Sequence, residues 1–258
     1  MQWKTENKDY DLEIFNEDIV DLRNFIESKE NEGRKVRLLD SEDGDRRLST
    51  FLKKDEASIV FIEDTWLELG NPKKFSTAPV LVTDNLDLVN DGNVTLIGPD
   101  ISETRGSLPF AQILLLASDS LQDEAYTKLN SFQYELELKG YMIKAMPSSL
   151  LIWSRVSNDN ARNGFSFEIL GKTIINNYKS KFDIPFVEII FITSSKEDVE
   201  QLKDLHYKVK RIVGAMTKML EEMHFDCSSC EYLDVCGDDR QLSALKKKLI
   251  KKKQGGNS

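Results

Sequence analysis

Histidine is nearly absent from this 258-residue chain, which has only His206 and His224. Acid–base catalysis by imidazole therefore has few candidates, no nucleophile stands beside an obvious base, and the carboxylates are too numerous to single one out. Cysteine is as scarce. All three cysteines fall within ten residues, Cys227-Ser-Ser-Cys230-Glu-Tyr-Leu-Asp-Val-Cys236, and an odd, clustered set excludes a disulfide framework. No apolar run approaches the ~20 residues that a bilayer-spanning helix needs, so no membrane span is expected. The longest runs, around 111–117 and 187–192, have the length of buried strands. Met1-Gln-Trp-Lys-Thr-Glu lacks the apolar segment of a secretory signal, which points to a reducing cytoplasm. Basic residues are outnumbered, and a net charge of −9 argues against a general nucleic-acid binder. A glycine-rich phosphate loop is also missing, because Gly98-Pro99-Asp100 reads as a tight turn leaving a strand.

What remains is a globular composition, 40% hydrophobic and 31% charged, with enough apolar material for a core. A helix is expected over Leu12–Lys29, with Leu12, Phe15, Ile19, Leu22 and Ile26 on one face and Gly33 ending it. Arg34–Asp40 suits a short strand and the charged Ser41–Asp55 a loop. Strands are expected at Ser58–Ile62, Trp66–Leu69, Pro79–Thr83, Val94–Ile97 and Phe110–Ala117. The last lacks alternation, which implies burial on both faces. Helices are expected at Leu121–Lys139 and Phe167–Phe182, with Ser157 capping a short helix that Gly164 closes. Strands Leu150–Val156 and Phe186–Thr193 complete the set. The longest element is a helix over Lys196–Met223, with Val199, Leu202, His206, Val209, Val213, Met216, Leu220 and Met223 at 3–4 spacing. Ser195-x-x-Asp198 gives it a capping-box-like start, and Gly214 interrupts it. The irregular alternation of strands and helices favours an α+β or mixed α/β fold, with a mixed sheet, packed helices and a long C-terminal helix leading into a cysteine loop. The organisation is then an N-terminal helix and linker (1–56), a middle domain (57–223), and a cysteine loop with a basic tail (224–258).

Cys-x2-Cys-x5-Cys is the densest chemical signal. Two close thiolates reach one ion, and a third closes most of a coordination shell. His224 could complete a [4Fe–4S] site or, equally, a Cys3His zinc site. The thiols could instead be free or form a disulfide on oxidation, and a second chain could supply the missing ligand. His206 lies on the apolar stripe, as a ligand or as a polar residue setting register against a partner helix. The length of that stripe keeps a homodimer open. Trp153 and Arg155 share one face of their strand by period-two alternation. The tail Lys246-Lys-Lys-Leu-Ile-Lys-Lys-Lys253 is a solvated segment, or one that docks an acidic partner such as a ferredoxin.

Several motifs, in order, resemble the central region of the β subunit of the carbon monoxide dehydrogenase/acetyl-CoA synthase complex. They are Trp66-Leu-Glu-Leu-Gly-Asn71, Asp91-Gly-Asn-Val-Thr-Leu-Ile-Gly-Pro-Asp100, Ser107-Leu-Pro-Phe110, Trp153-Ser-Arg-Val-Ser157 with Gly164-Phe165, and Val187-Glu-Ile-Ile-Phe-Ile-Thr193. The resemblance runs from about Ile59 to Cys236. It implies that Cys227, Cys230 and Cys236 stand where the first cysteines of an iron–sulfur cubane joined to nickel-site metals would be. It also implies that the Trp153–Arg155 region helps to bind CoA, guanidinium to phosphate and indole to adenine. The alternative for that pair is a core tryptophan and a surface ion pair. This chain departs from the family pattern in three places. The gap before Cys236 is shorter, the cubane's fourth cysteine and the Cys-Gly-Cys nickel segment have no counterpart among the 22 residues after Cys236, and Pro147–Ile152 lacks the family's neighbouring basic residue. The resemblance implies an accessory role in anaerobic one-carbon and acetyl-CoA metabolism, with a partner from that pathway. The alternatives are a CO-methylating acetyl-CoA synthase-type acyltransferase completed by a partner chain and a zinc-stapled structural module.

Overall fold

The computed structural model describes residues 12–40, 44–52, 59–70, 75–119, 125–146, 151–221 and 229–238. After a 3-10 turn at Leu12–Phe15, helix α1 spans Asn16–Asn31 and strand β1 Val36–Leu38. Helix α2 (Gly44–Phe51) precedes β2 (Thr65–Leu69), β3 (Ser76–Thr77), β4 (Val80–Thr83), β5 (Val94–Ile97), β6 (Gly106–Leu108) and β7 (Phe110–Ala117). Then come α3 (Ala125–Phe132), β8 (Tyr141–Met146), β9 (Leu151–Ser157), α4 (Asn158–Arg162), α5 (Phe167–Phe182), β10 (Phe186–Ile192), α6 (Lys196–Glu221) and α7 (Leu233–Asp238). Two mixed sheets result. One has the order β1-β5-β10-β7-β3, with β4 also paired to β7; the other is β6-β2-β9-β8.

β7 and β10 form the middle of the larger sheet because their side chains feed both faces. Phe110, Leu114, Leu116, Val187, Ile189 and Phe191 enter one core, shared with α5 and with Leu67, Leu69, Ile152 and Val156 of the smaller sheet. Ala111, Ile113, Leu115, Ile190 and Ile192 enter a second core beneath α1 and α6. All eight residues of β7 are buried, so its unbroken apolar run follows from a sheet covered on both sides. The stripe of α6 packs on this sheet through Val199, Leu202, Val209, Ile212, Ala215 and Met216. Ile212 takes the inward place expected of Val213, because 3.6 residues per turn carry a straight helix off a strict 3–4 pattern.

α6 starts as its sequence predicts: the Asp198 N–H donates to Ser195 Oγ at 3.1 Å. Buried Asp198 also accepts from Ser194 Oγ at 2.5 Å and pairs with Lys29 of α1 at 3.1 Å. A second buried link joins α1 to β10. Arg23 forks onto Glu188 at 2.6 and 2.5 Å, and the Asn90 N–H donates to the same carboxylate at 2.7 Å.

The structure differs from the sequence reading at several places. Ser41–Asp55 was expected as a loop, yet it contains α2, formed because Leu48 and Phe51 are buried and Phe51 meets Phe165 edge-on at 5.2 Å. Ile59–Ile62 is not a strand: the Phe61 and Ile62 carbonyls accept the Asp64 and Thr65 N–H groups in a turn, and Ile59, Phe61 and Ile62 are exposed. α3 ends at Phe132, where turn bonds Tyr134 N–H to Ser131 C=O and Glu135 N–H to Phe132 C=O replace the helix. β8 follows, an edge strand made by pairing Tyr141 with Val156 through Met146 with Leu151. β3 was also missed; two residues are too few to show a period, and the strand exists through pairing with Phe110 and Ala111. Among the described residues no helix is long and apolar enough to cross a membrane.

Candidate functional site

The cysteine-bearing segment lies against α6. On that helix Tyr207, Arg211, Gly214 and Lys218 recur at spacings that put them on one face. Tyr232, between Cys230 and Cys236 in sequence, sits over Gly214; a Cβ built there would stand 2.6 Å from its hydroxyl and 2.8 Å from Cζ. The interruption at Gly214 is therefore a notch. The Arg211 guanidinium lies 5.5 Å from the Tyr232 ring centroid, donates to the Glu231 carbonyl at 2.6 Å and pairs with Asp234. That bond holds the Asp234 carboxyl below its ordinary range. Tyr232, Val235 and Cys236 pack on the core beneath α6. The local backbone is ordered by the Leu233 N–H donating to Cys230 C=O at 3.1 Å and the Cys236 N–H to Tyr232 C=O at 3.0 Å. The segment read as loop from sequence thus contains the short helix α7.

Cys230 and Cys236 are partly buried thiols outside any disulfide. Cys227 and His224 lie outside the described residues, and among those described no three His, Cys, Asp or Glu side chains are grouped to hold a metal. Both described donors are thiols, the ligand type that soft metals take, and both lie on the segment that packs beside α6.

His206 is not with them. It is buried against β3, where its Nδ1 lies 2.6 Å from Thr77 Oγ1 and accepts the Ala78 N–H at 3.3 Å. It sets register against a strand of its own chain, so the expected partner helix is a correction. Because Nδ1 is the acceptor, the ring is neutral with its proton on Nε2. Burial, with the charge of Lys210 adding to it, pushes its pKa down from 6.5 to about 4. The unfolded chain thus binds this proton at higher pH than the folded one. The contribution of His206 to stability is full above pH ~6.5 and falls by about 3 kcal/mol on acidification towards pH 4. In urea titrations across that window, His206→Gln should flatten this part of the pH dependence; an unchanged slope would assign it to other groups.

Trp153 and Arg155 share the outer face of the smaller sheet, as alternation predicts. The residue that organises them is Glu68, opposite Arg155 in the β2–β9 register. Its Oε1 accepts the Trp153 indole N–H at 2.9 Å and lies 3.4 Å from Arg155 Nε. The Arg155 guanidinium covers the Trp153 ring at 4.5 Å from its centroid. The ion pair of the bland alternative is therefore present, but the tryptophan is only partly buried and is not in the core. A second stack, Arg105 over Trp66 at 5.0 Å, lies on the same sheet. Where β9 ends, a cavity of about 390 Å³ is lined by Val60, Asp64, Ser157, Asn158 and Arg162, among others. The Val60 carbonyl accepts from Arg155 at 3.4 Å. Sequence reasoning missed Glu68, Tyr232 and Arg211. The alternation of Trp66-Leu-Glu-Leu69 carried a signal for Glu68, whereas the dock of Tyr232 on Gly214 had none beyond a glycine inside a helix.

A match to the family described as CO dehydrogenase/acetyl-CoA synthase complex beta subunit spans residues 53–199. It takes in the smaller sheet and most of the larger one and stops inside α6, before the cysteine segment. The chain is 27% identical over 184 residues to the acetyl-CoA decarbonylase/synthase complex subunit beta 1 of Methanosarcina thermophila, covering 68% of this chain and 39% of that one. It is 30% identical over 165 residues to the subunit beta of Methanopyrus kandleri, covering 62% and 34% respectively. Over 132 residues it is 33% identical to the subunit beta of Methanothermobacter thermautotrophicus, covering 50% and 27%. The chain thus spans 39% or less of the length of these three relatives.

Proposed function

We infer the function from one premise: this chain belongs to the CO dehydrogenase/acetyl-CoA synthase complex beta subunit family. Its role is that of an acetyl-CoA synthase β-subunit-like protein whose cysteine segment binds an iron–sulfur cluster, [4Fe–4S] by ligand type. Its work is accessory, electron transfer or partner binding, in anaerobic one-carbon and acetyl-CoA metabolism. The supporting observation is the pair of thiols, Cys230 and Cys236, on a segment anchored to α6 by Tyr232 and Arg211. Cys227 would supply the third thiolate and His224 the fourth ligand, and the cluster, when bound, supplies one-electron chemistry. The relatives are named as subunits of a complex, which supports a protein partner for this chain. A ferredoxin or a second copy of the chain are the candidates, and a cytoplasmic setting suits reduced thiols. Iron and sulfide reconstitution under argon tests the reading. Zinc alone in a colourless product would instead assign a structural staple, and nickel in purified material would favour an acyltransferase completed by another chain.

The Trp153–Arg155 face supports a second property, CoA binding. The partly buried Trp153 offers an indole to stack on adenine, and the Arg155 guanidinium beside it a charge to meet phosphate. CoA at millimolar concentration should quench tryptophan fluorescence, and Arg155→Ala should weaken binding roughly tenfold, the loss of one charge-assisted hydrogen bond. No change of fluorescence with CoA would retire the site.

A further inference from the structure

We propose that Tyr232, seated in the Gly214 notch and bracketed by Arg211, is a positioning residue that holds the cysteine segment in its metal-ready arrangement before metal arrives. The purpose assigned to it rests on the metal-binding reading above. A loop that orders only on binding loses part of the binding free energy to that ordering. This segment has little core of its own, since Glu231, Leu233 and Asp234 are exposed. Three side-chain anchors for it lie on one face of α6: the Gly214 notch, the Arg211 guanidinium, and Lys218, which lies 3.7 Å from Glu231. The three atoms nearest a Cβ at position 214 all belong to Tyr232. Within a 26-residue helix an alanine there would favour the helix, so what glycine provides is room for that ring. Arg211 reaches Glu231 and Asp234, which flank Tyr232 in sequence, and the Tyr232 carbonyl takes the Cys236 N–H. Displacing the ring therefore moves the backbone that carries both thiols. A shell that fixes its ligands in this way typically changes metal affinity by about 10- to 100-fold when removed.

The test uses the full chain with Gly214→Leu, which fills the notch with a good helix former, and Arg211→Lys, which keeps the charge and loses the fork. Far-UV circular dichroism confirms the helix. Should Gly214→Leu lose it, Tyr232→Ala replaces that variant. In metal-free protein, iodoacetamide labelling of Cys230 and Cys236, read by peptide mass spectrometry, should speed up about tenfold in Gly214→Leu and less in Arg211→Lys, with Tyr232→Phe close to wild type. In cobalt(II) titrations followed by thiolate-to-metal charge transfer, the first two variants should bind about 10-fold or more weakly. Labelling rates equal to wild type overturn the proposal whether or not metal binds, and so does faster labelling with unchanged cobalt affinity. A wild-type chain that takes no cobalt and cannot be reconstituted with iron and sulfide overturns the metal reading and this proposal together. Unchanged labelling in a chain that does take metal overturns this proposal alone.

Discussion

Replacing Cys230 by alanine is expected to abolish metal uptake and leave both sheets intact. Cys230 contributes to the fold through its carbonyl, which accepts the Leu233 N–H, and alanine keeps that bond. Neither core includes its side chain, so the substitution removes a small, partly exposed thiol and opens no cavity. The proposed ligand set, by contrast, would lose one of its three thiolates, and cysteine thiolates are what hold such a cluster. After reconstitution, iron per chain should fall to background, while the unfolding free energy of the metal-free protein in urea titration stays within about 0.5 kcal/mol of wild type. A fully loaded variant would remove Cys230 from the site. Collapse of the whole domain would make the segment a structural staple.

Arg23→Ala is expected to destabilise the fold by about 3–5 kcal/mol, because it leaves the Glu188 carboxylate buried without its cation. Glu188 is 1% exposed on the central strand β10, and it points into the core where Leu115, Ile190 and Ile192 lie. Arg23 also donates to the Leu88 carbonyl at 2.9 Å, so the guanidinium ties α1, the turn before β5 and β10 together. Arg23→Met with Glu188→Leu should recover most of the loss, since a buried ion pair and an apolar pair of similar volume differ little in stability. Urea denaturation of the two variants decides this. A single variant costing less than about 1 kcal/mol would show that water already reaches the carboxylate.

The two faces of the larger sheet were legible because burial on both sides leaves a run such as Phe110–Ala117 no room for polar alternation. α5 was legible too, with its bounds; in the structure Ser166 caps it and Asp183 ends it in a left-handed turn. What failed has a common cause, in that the deciding contact lay elsewhere in the chain. α2 depends on Phe165, β8 on β9, and β3 on the start of β7. The same holds for the candidate site. Trp153 and Arg155 could be placed on one face by counting, yet Glu68, which holds both, is 85 residues from the tryptophan. Gly214 was visible as a weak point in a helix, and only the folded chain pairs it with Tyr232.

The thiols of the cysteine segment are the centre of the functional reading, and oxygen-free purification of the full chain with metal, sulfide and absorption analysis tests them most directly. Iron matched by acid-labile sulfide, with a broad sulfur-to-iron absorption that bleaches on reduction, is the predicted result. A colourless protein that holds zinc or no metal after reconstitution would contradict it.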